Sequence, residues 1–148
     1  MKALIWILGF TLVLSACGKD ELSVEEQFDA DINLIETYLS EKGLSAQKTP
    51  DGIYYIIEAE GSAEKPKITS QVTVSYLGYF LDGQAFDGSD KATFPLYAVI
   101  QGWQIGIPKF GKGGKGKLLI PSKYAYGQNS VGGRKNAVLI FDIEVFDF

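Results

Sequence analysis

The chain of 148 residues contains no histidine, and that absence excludes several chemistries at once. It can build no Ser-His-Asp triad, no Cys-His pair and no imidazole-based metal site. The one cysteine, Cys17, can close no internal disulfide and form no thiolate zinc cage. Neither a metal nor a cofactor is expected. Long apolar runs are also missing. The longest, Ala3 to Val13, is 11 residues, short for a membrane-spanning helix. There are no internal repeats and no low-complexity tract. What is present is 46% hydrophobic and 13% aromatic residues, enough for one domain with a modest core plus appendages.

The apolar run follows the basic Lys2 and ends in Leu14-Ser-Ala-Cys17. A charged start, a short apolar centre and small residues at its end are the parts of a secretory leader. The end resembles a bacterial lipoprotein signal, which implies that residues 1–16 are removed and that Cys17 carries lipid. Several acyl chains at about 0.8 kcal/mol per buried CH₂ make a firm anchor. The expected location is the cell envelope, held on a membrane through Cys17 and more in keeping with the outer than the inner one, because no Asp follows that cysteine. Gly18-Lys-Asp-Glu21 reads as a solvated linker, with a surface-export tag as the alternative.

Ser23-Val-Glu-Glu26 has the form of a capping box. Phe28, Ile32, Ile35 and Leu39 then recur on one helical stripe, and Gly43 stands where a helix ends. The spacing predicts an amphipathic helix that serves as a spacer packed on the domain or, alternatively, as a homodimer contact through residues 23–42. Strands are expected at 53–58, 71–81, 84–87, 93–98, 115–120 and 137–146, with a hairpin at Asp82-Gly83 and a short helix within 99–107. Residues 17–50 thus read as linker and helix, and 51–148 as the folded domain. Charge is uneven: 15 acids and 5 bases from Cys17 to Asp90, then 8 bases and no acid from Lys91 to Phe141. The basic half reads as a solvated lysine surface, or as an attraction to anionic membranes or acidic client segments.

Gly111-Lys-Gly-Gly-Lys-Gly-Lys-Leu118 fits both G-x-x-x-x-G-K and G-x-G-x-x-G. A phosphate loop needs a strand before it and a helix after it, so that helix N–H groups face the anion. Here the helix candidate precedes and the strand follows, and Leu118 stands where a Mg²⁺-binding Ser or Thr is needed. Nucleotide binding is excluded on these grounds, and no nucleic-acid partner is expected. The glycines read instead as a tight helix-to-strand turn that needs positive φ.

The flanks of that turn carry a stronger signal. Val74-Ser-Tyr-Leu-Gly78, Leu81-Asp-Gly-Gln-Ala-Phe-Asp87, Val99-Ile-Gln-Gly-Trp103, Ile120-Pro-Ser-Lys-Tyr-Ala-Tyr-Gly127 and Asn136-Ala-Val-Leu-Ile-Phe-Asp142 form five separated blocks. In this order they resemble the FKBP-type peptidyl-prolyl isomerases, over roughly residues 51–148. The resemblance implies an α+β fold, an antiparallel half-barrel sheet wrapped around one short helix, here preceded by the amphipathic helix. It also implies a cleft for proline-containing polypeptides. In that cleft Trp103 would be the floor, with Tyr76, Phe86, Phe94 and Phe141 as walls, joined by Val99 and Ile100. Tyr126 and the Ile100 backbone N–H would donate to the substrate carbonyl, and Asp87 would orient Tyr76 and face the twisting amide.

Two departures from the family pattern stand out. An Arg usually follows the equivalent of Asp87, whereas here Lys91 is the only nearby cation. The family's Ile-Pro-Pro before the last strand is replaced by Gly133-Arg-Lys135. The expectation is a flexible basic segment that opens the site, lowers activity, alters client choice and weakens macrolide binding, with Val131 filling part of the gap. Two functions remain in view: an active isomerase assisting exported proteins, and a non-catalytic proline-segment receptor or holdase using the same cleft.

Overall fold

The computed structural model describes residues 21–148; the leader, Cys17 and the first linker residues, on which the lipoprotein reading falls, lie outside the described residues. The described chain begins with helix α1, Val24–Lys42. Ser23 caps it in the manner of a capping box: its Oγ accepts from the Glu26 N–H, and the Glu26 carboxylate accepts from the Ser23 N–H. Gly43 ends it at φ 62°, a left-handed conformation that glycine adopts without a Cβ penalty.

Six strands follow: β1 Gln47–Lys48, β2 Tyr54–Ala59, β3 Gln71–Tyr79, β4 Ala85–Pro95, β5 Lys115–Ile120 and β6 Leu139–Asp147. They form one sheet in the order β1-β2-β5-β6-β3-β4, every pair antiparallel. Helix α2, Gln101–Gly106, crosses the inner face between β4 and β5. The two short strands expected at 84–87 and 93–98 are one edge strand. A bulge falls where Val74 pairs with Ala92 but Tyr76 pairs with Ser89. The extra residue of the polar Gly88–Lys91 run interrupts the alternation that would mark a continuous strand, and an edge position tolerates it.

The sheet has apolar residues on both faces at one end. Leu139, Phe141, Ile143 and Val145 of β6 join Ile107, Phe110, Leu118 and Ile120 in the inner core under α2. On the outer face, Ile35 and Leu39 of α1 pack on Tyr54, Leu119, Val138 and Ile140. Burying an Ile or Leu of this kind contributes about 1.5–3 kcal/mol. The apolar stripe of α1 is therefore occupied by the chain's own sheet, while Leu34 on its other side is 49% exposed. The helix is a packed part of this domain. On β6, Ile140 is buried on the other side, beneath that helix.

The glycine loop is a closed turn. Gly111 N–H donates to Glu60 O at 2.8 Å, Gly113 N–H to Val145 O at 2.7 Å and Gly114 N–H to Gly111 O at 2.8 Å. Backbone donors that would cradle an anion are thus already used. Only Gly113 needs a positive φ, 80°. Gly111, Gly114 and Gly116 are glycines because a Cβ at each would meet neighbouring backbone: Ser62, Glu60 and Ile56 respectively.

Candidate active site

Helix α2 lies close on β5 because Gly102 and Gly106, one turn apart, face Ile120 and Leu118. That approach drives Trp103, on the same helix, into the hollow of the sheet, where the residue is 4% exposed. Three rings stand edge-on around the indole. Tyr76 from β3 is 5.1 Å away centroid to centroid, Phe141 from β6 5.2 Å and Phe94 from β4 6.0 Å. Edge-to-face contact lets each ring present its positive rim to a negative π face, worth about 0.5–1.5 kcal/mol beyond burial. Above the indole is a cavity of about 310 Å³ lined by these four rings, Asp87, Tyr126, Val99, Ile100 and Ala98.

The polar groups are few and sit at the rim. The Tyr76 hydroxyl donates to Asp87 Oδ2 at 2.9 Å, and Asp87 Oδ1 accepts from the Gly88 N–H at 2.8 Å. Burial, reinforced by the Asp87 carboxylate, pushes the Tyr76 hydroxyl up to about 12, so it remains a donor far above neutral pH. Burial and then the Asp87 charge raise Tyr126 as well. Tyr126 is 42% exposed, and among the described residues neither its hydroxyl nor the Ile100 N–H has a hydrogen-bond partner. The indole Nε1–H is buried and likewise unpartnered.

Of the residues singled out from the sequence, Tyr76, Asp87, Phe94, Val99, Ile100, Trp103, Tyr126 and Phe141 come together around this cavity. Phe86 does not line it. Its ring lies behind, 5.7 Å from Phe141 and 5.0 Å from Phe80, because Gly78 lets Phe86 and Phe141 close over the strand. Phe86 therefore supports a wall and is not itself one. Among the described residues no cation pairs with Asp87, Lys91 included; Tyr76 and Gly88 hold it instead.

The Gly133-Arg-Lys135 segment differs from the flexible strip expected of it. Arg134 donates to Asp82 at 2.8 Å and Gln84 at 2.7 Å and lies over the Phe80 ring at 4.2 Å. Its bond holds the Asp82 carboxyl below the usual range. Val131 and Arg134 exchange backbone hydrogen bonds, and Val131 packs on the inner core. The segment is a tight turn pinned to the β3–β4 hairpin, outside the cavity lining.

Two contributors had no sequence signal. Ala98 lines the cavity, and Gln104 holds its rim by donating to Val99 O at 2.8 Å and Tyr97 O at 3.2 Å. A lone glutamine in a short helix shows no pattern until the loop it ties is folded. A second depression, also about 310 Å³, lies on the outer sheet face. Its lining is charged and its Lys117 is already paired with Asp142 at 2.5 Å, so it offers no apolar floor.

Comparisons with known proteins fit this geometry. Residues 62–146 match the sequence model of a family described as FKBP-type peptidyl-prolyl cis-trans isomerase. The FKBP-type peptidyl-prolyl cis-trans isomerase FkpA of Aeromonas hydrophila is 38% identical over 145 residues, covering 82% of this chain and 54% of that protein. FkpA of Escherichia coli K12 is 39% identical over 117 residues, covering 76% and 43%. The crystal structure of E. coli FkpA superposes with a TM-score of 0.71 at 36% identity, over 81% of this chain and 58% of that one. That of a Pseudomonas syringae peptidyl-prolyl cis-trans isomerase gives 0.72 at 29% identity, over 86% and 96%. The chain spans about half the length of the curated relatives it matches. With a family match across more than half of its residues and a half-barrel sheet closed on one short helix, the chain belongs to the FKBP-type peptidyl-prolyl cis-trans isomerase family.

Proposed function

We propose that this chain catalyses cis-trans isomerisation of Xaa-Pro bonds in exported proteins while tethered to a membrane of the cell envelope through lipid on Cys17. The observation that carries the catalytic part is the ring-walled cavity over Trp103, with Asp87, Tyr76 and Tyr126 at its rim. Amide rotation has a barrier of about 18–20 kcal/mol, and uncatalysed prolyl exchange takes roughly 10–100 s. No bond breaks, so neither nucleophile nor metal is required. At the twisted midpoint the amide loses resonance and its carbonyl becomes less dipolar. An apolar pocket favours that state over the planar one. A gain of about 10⁴ asks for about 5–6 kcal/mol, within reach of desolvation and two hydrogen bonds aimed at the carbonyl. The unpartnered Tyr126 hydroxyl and Ile100 N–H would supply those bonds.

The test is the isomerisation rate of an Xaa-Pro tetrapeptide with the full chain in detergent. Wild type is expected to exceed buffer clearly, and an Asp87→Leu, Phe141→Tyr double variant to lose most of that excess. Equal rates for wild type, variant and buffer would remove the catalytic reading. If wild type were inactive yet suppressed aggregation of an unfolded protein, a holdase would replace it. The tether has its own check: Cys17→Ala should abolish incorporation of labelled palmitate into the chain, and labelling equal to wild type would refute it.

A further inference from the structure

Asp31 breaks the pattern of its own helix. It lies one turn before Ile35 on the face that α1 buries against the domain, and it is 0% exposed. None of the ion pairs among the described residues includes it. A buried carboxyl without a counter-ion is costly unless donors fill its oxygens. Three do. Oδ2 accepts from the Ser122 N–H at 2.7 Å and the Ser122 hydroxyl at 2.6 Å, and Oδ1 accepts from Gln27 Nε2 at 2.8 Å. Ser122 passes the restraint on. Its carbonyl accepts from the Ala125 N–H at 3.0 Å and the Gly127 N–H at 2.9 Å, the two amides that flank Tyr126. The same helix grips this turn twice more: Phe28 meets Tyr124 edge-on at 6.1 Å, and Lys123 lies over Phe28 at 5.3 Å.

We propose that Asp31 is a positioning residue for the isomerase cleft: it fixes Ser122, and Ser122 fixes the turn that brings Tyr126 to the cavity rim. Helix α1 is then part of the machinery that sets the site and more than a spacer. The inference rests on the reading of Tyr126 as a donor to the substrate carbonyl. A single hydrogen bond to a twisting amide is productive only within a few tenths of an ångström. The Tyr126 side chain, 42% exposed, has little packing of its own to hold it there.

Asp31→Ala in the full chain removes the acceptor of both Ser122 donors. Amide exchange at Ala125 and Gly127 is expected to quicken at least about tenfold relative to Leu118 and Ile143 in the sheet. The kcat for an Xaa-Pro tetrapeptide should fall about tenfold with KM altered less than about twofold. Asp31→Asn should restore both to within about twofold of wild type, since its amide oxygen still accepts from Ser122 and Gln27 can turn its own amide to match. In a Tyr126→Phe background, Asp31→Ala should lower the rate no further. If Asp31→Ala does not fold, Ser122→Ala, which loses only the hydroxyl bond, should quicken the same two amides about two- to threefold. Unchanged exchange at Ala125 and Gly127 overturns the proposal, and so does an equal rate loss with and without the Tyr126 hydroxyl. If wild type shows no isomerisation above buffer, the catalytic reading falls by itself. The exchange comparison then decides whether Asp31 holds the turn: quickened amides support it and unchanged amides overturn it.

Discussion

Trp103→Ala is expected to lower kcat/KM for Xaa-Pro peptides by about a hundredfold or more. A hundredfold corresponds to about 2.7 kcal/mol of lost transition-state stabilisation. The indole is both the floor of the cavity and the ring against which Tyr76, Phe94 and Phe141 stand. With alanine there, the prolyl ring has no flat apolar surface to rest on and the three walls tilt into the void. The same substitution should reduce stability by about 3–5 kcal/mol, a large share of the roughly 5–15 kcal/mol that holds a domain folded. Rates should therefore be measured beside a urea transition at low temperature. Trp103→Phe separates floor from fold. It keeps an aromatic surface, and it orphans no hydrogen bond, because the indole Nε1–H has no partner among the described residues. It should retain activity within about tenfold of wild type and lose less stability than alanine. A folded Trp103→Ala protein with the wild-type rate would show that prolyl segments do not bind over this residue.

Gly116→Ala is expected to be among the most damaging single-methyl changes at the described residues, costing about 3 kcal/mol or more. Gly116 sits inside β5, paired with Ile57 of β2 and Ile143 of β6. A Cβ there would overlap the carbonyl oxygen of Ile56 and press on the Phe110 ring. The obstacle is backbone, so no rotamer change relieves it; β2 would have to leave the ladder. Gly113→Ala, in the adjoining turn, makes the comparison. Its φ of 80° strains any residue with a Cβ, but nothing lies within 4 Å, so the cost should stay at about 1–2 kcal/mol. Urea midpoints for the two variants give the contrast directly, and a larger loss for Gly113→Ala would contradict the described packing of β2 on β5.

That contrast also explains why Gly111-Lys-Gly-Gly-Lys-Gly-Lys117 imitates a phosphate loop. Glycine recurs wherever backbone must pass close to something. Here it passes neighbouring backbone of the same chain, and order along the chain was enough to reject an anion. The spacing could not say which glycine bends the chain and which merely makes room. Helix α1 shows the same limit. Its cap, stripe and end were legible, because capping and a 3.6-residue period are local. Asp31, within the same helix, carried no signal of burial, since two of its three donors belong to a residue 91 positions away. β4 was read as two pieces because a bulge hides alternation. Phe86 and Phe141, both aromatic and both pressed on Gly78, were told apart only by which ring reaches the cavity.

What the sequence by itself determined was the class of chemistry and the local elements. The lack of histidine ruled out the commonest catalytic and metal sites, and five ordered blocks placed the strands, the short helix and the rings. Those features rest on residue type, near-neighbour spacing and block order along the chain. Tertiary structure decided the rest: the tie from Asp31 to Ser122, the pinning of Arg134 to Asp82, and the seating of α1 on its own sheet. Each of these joins segments far apart in the chain. The energy that selects such a pairing comes from burial and from donors that meet acceptors only after folding, and no local pattern encodes it.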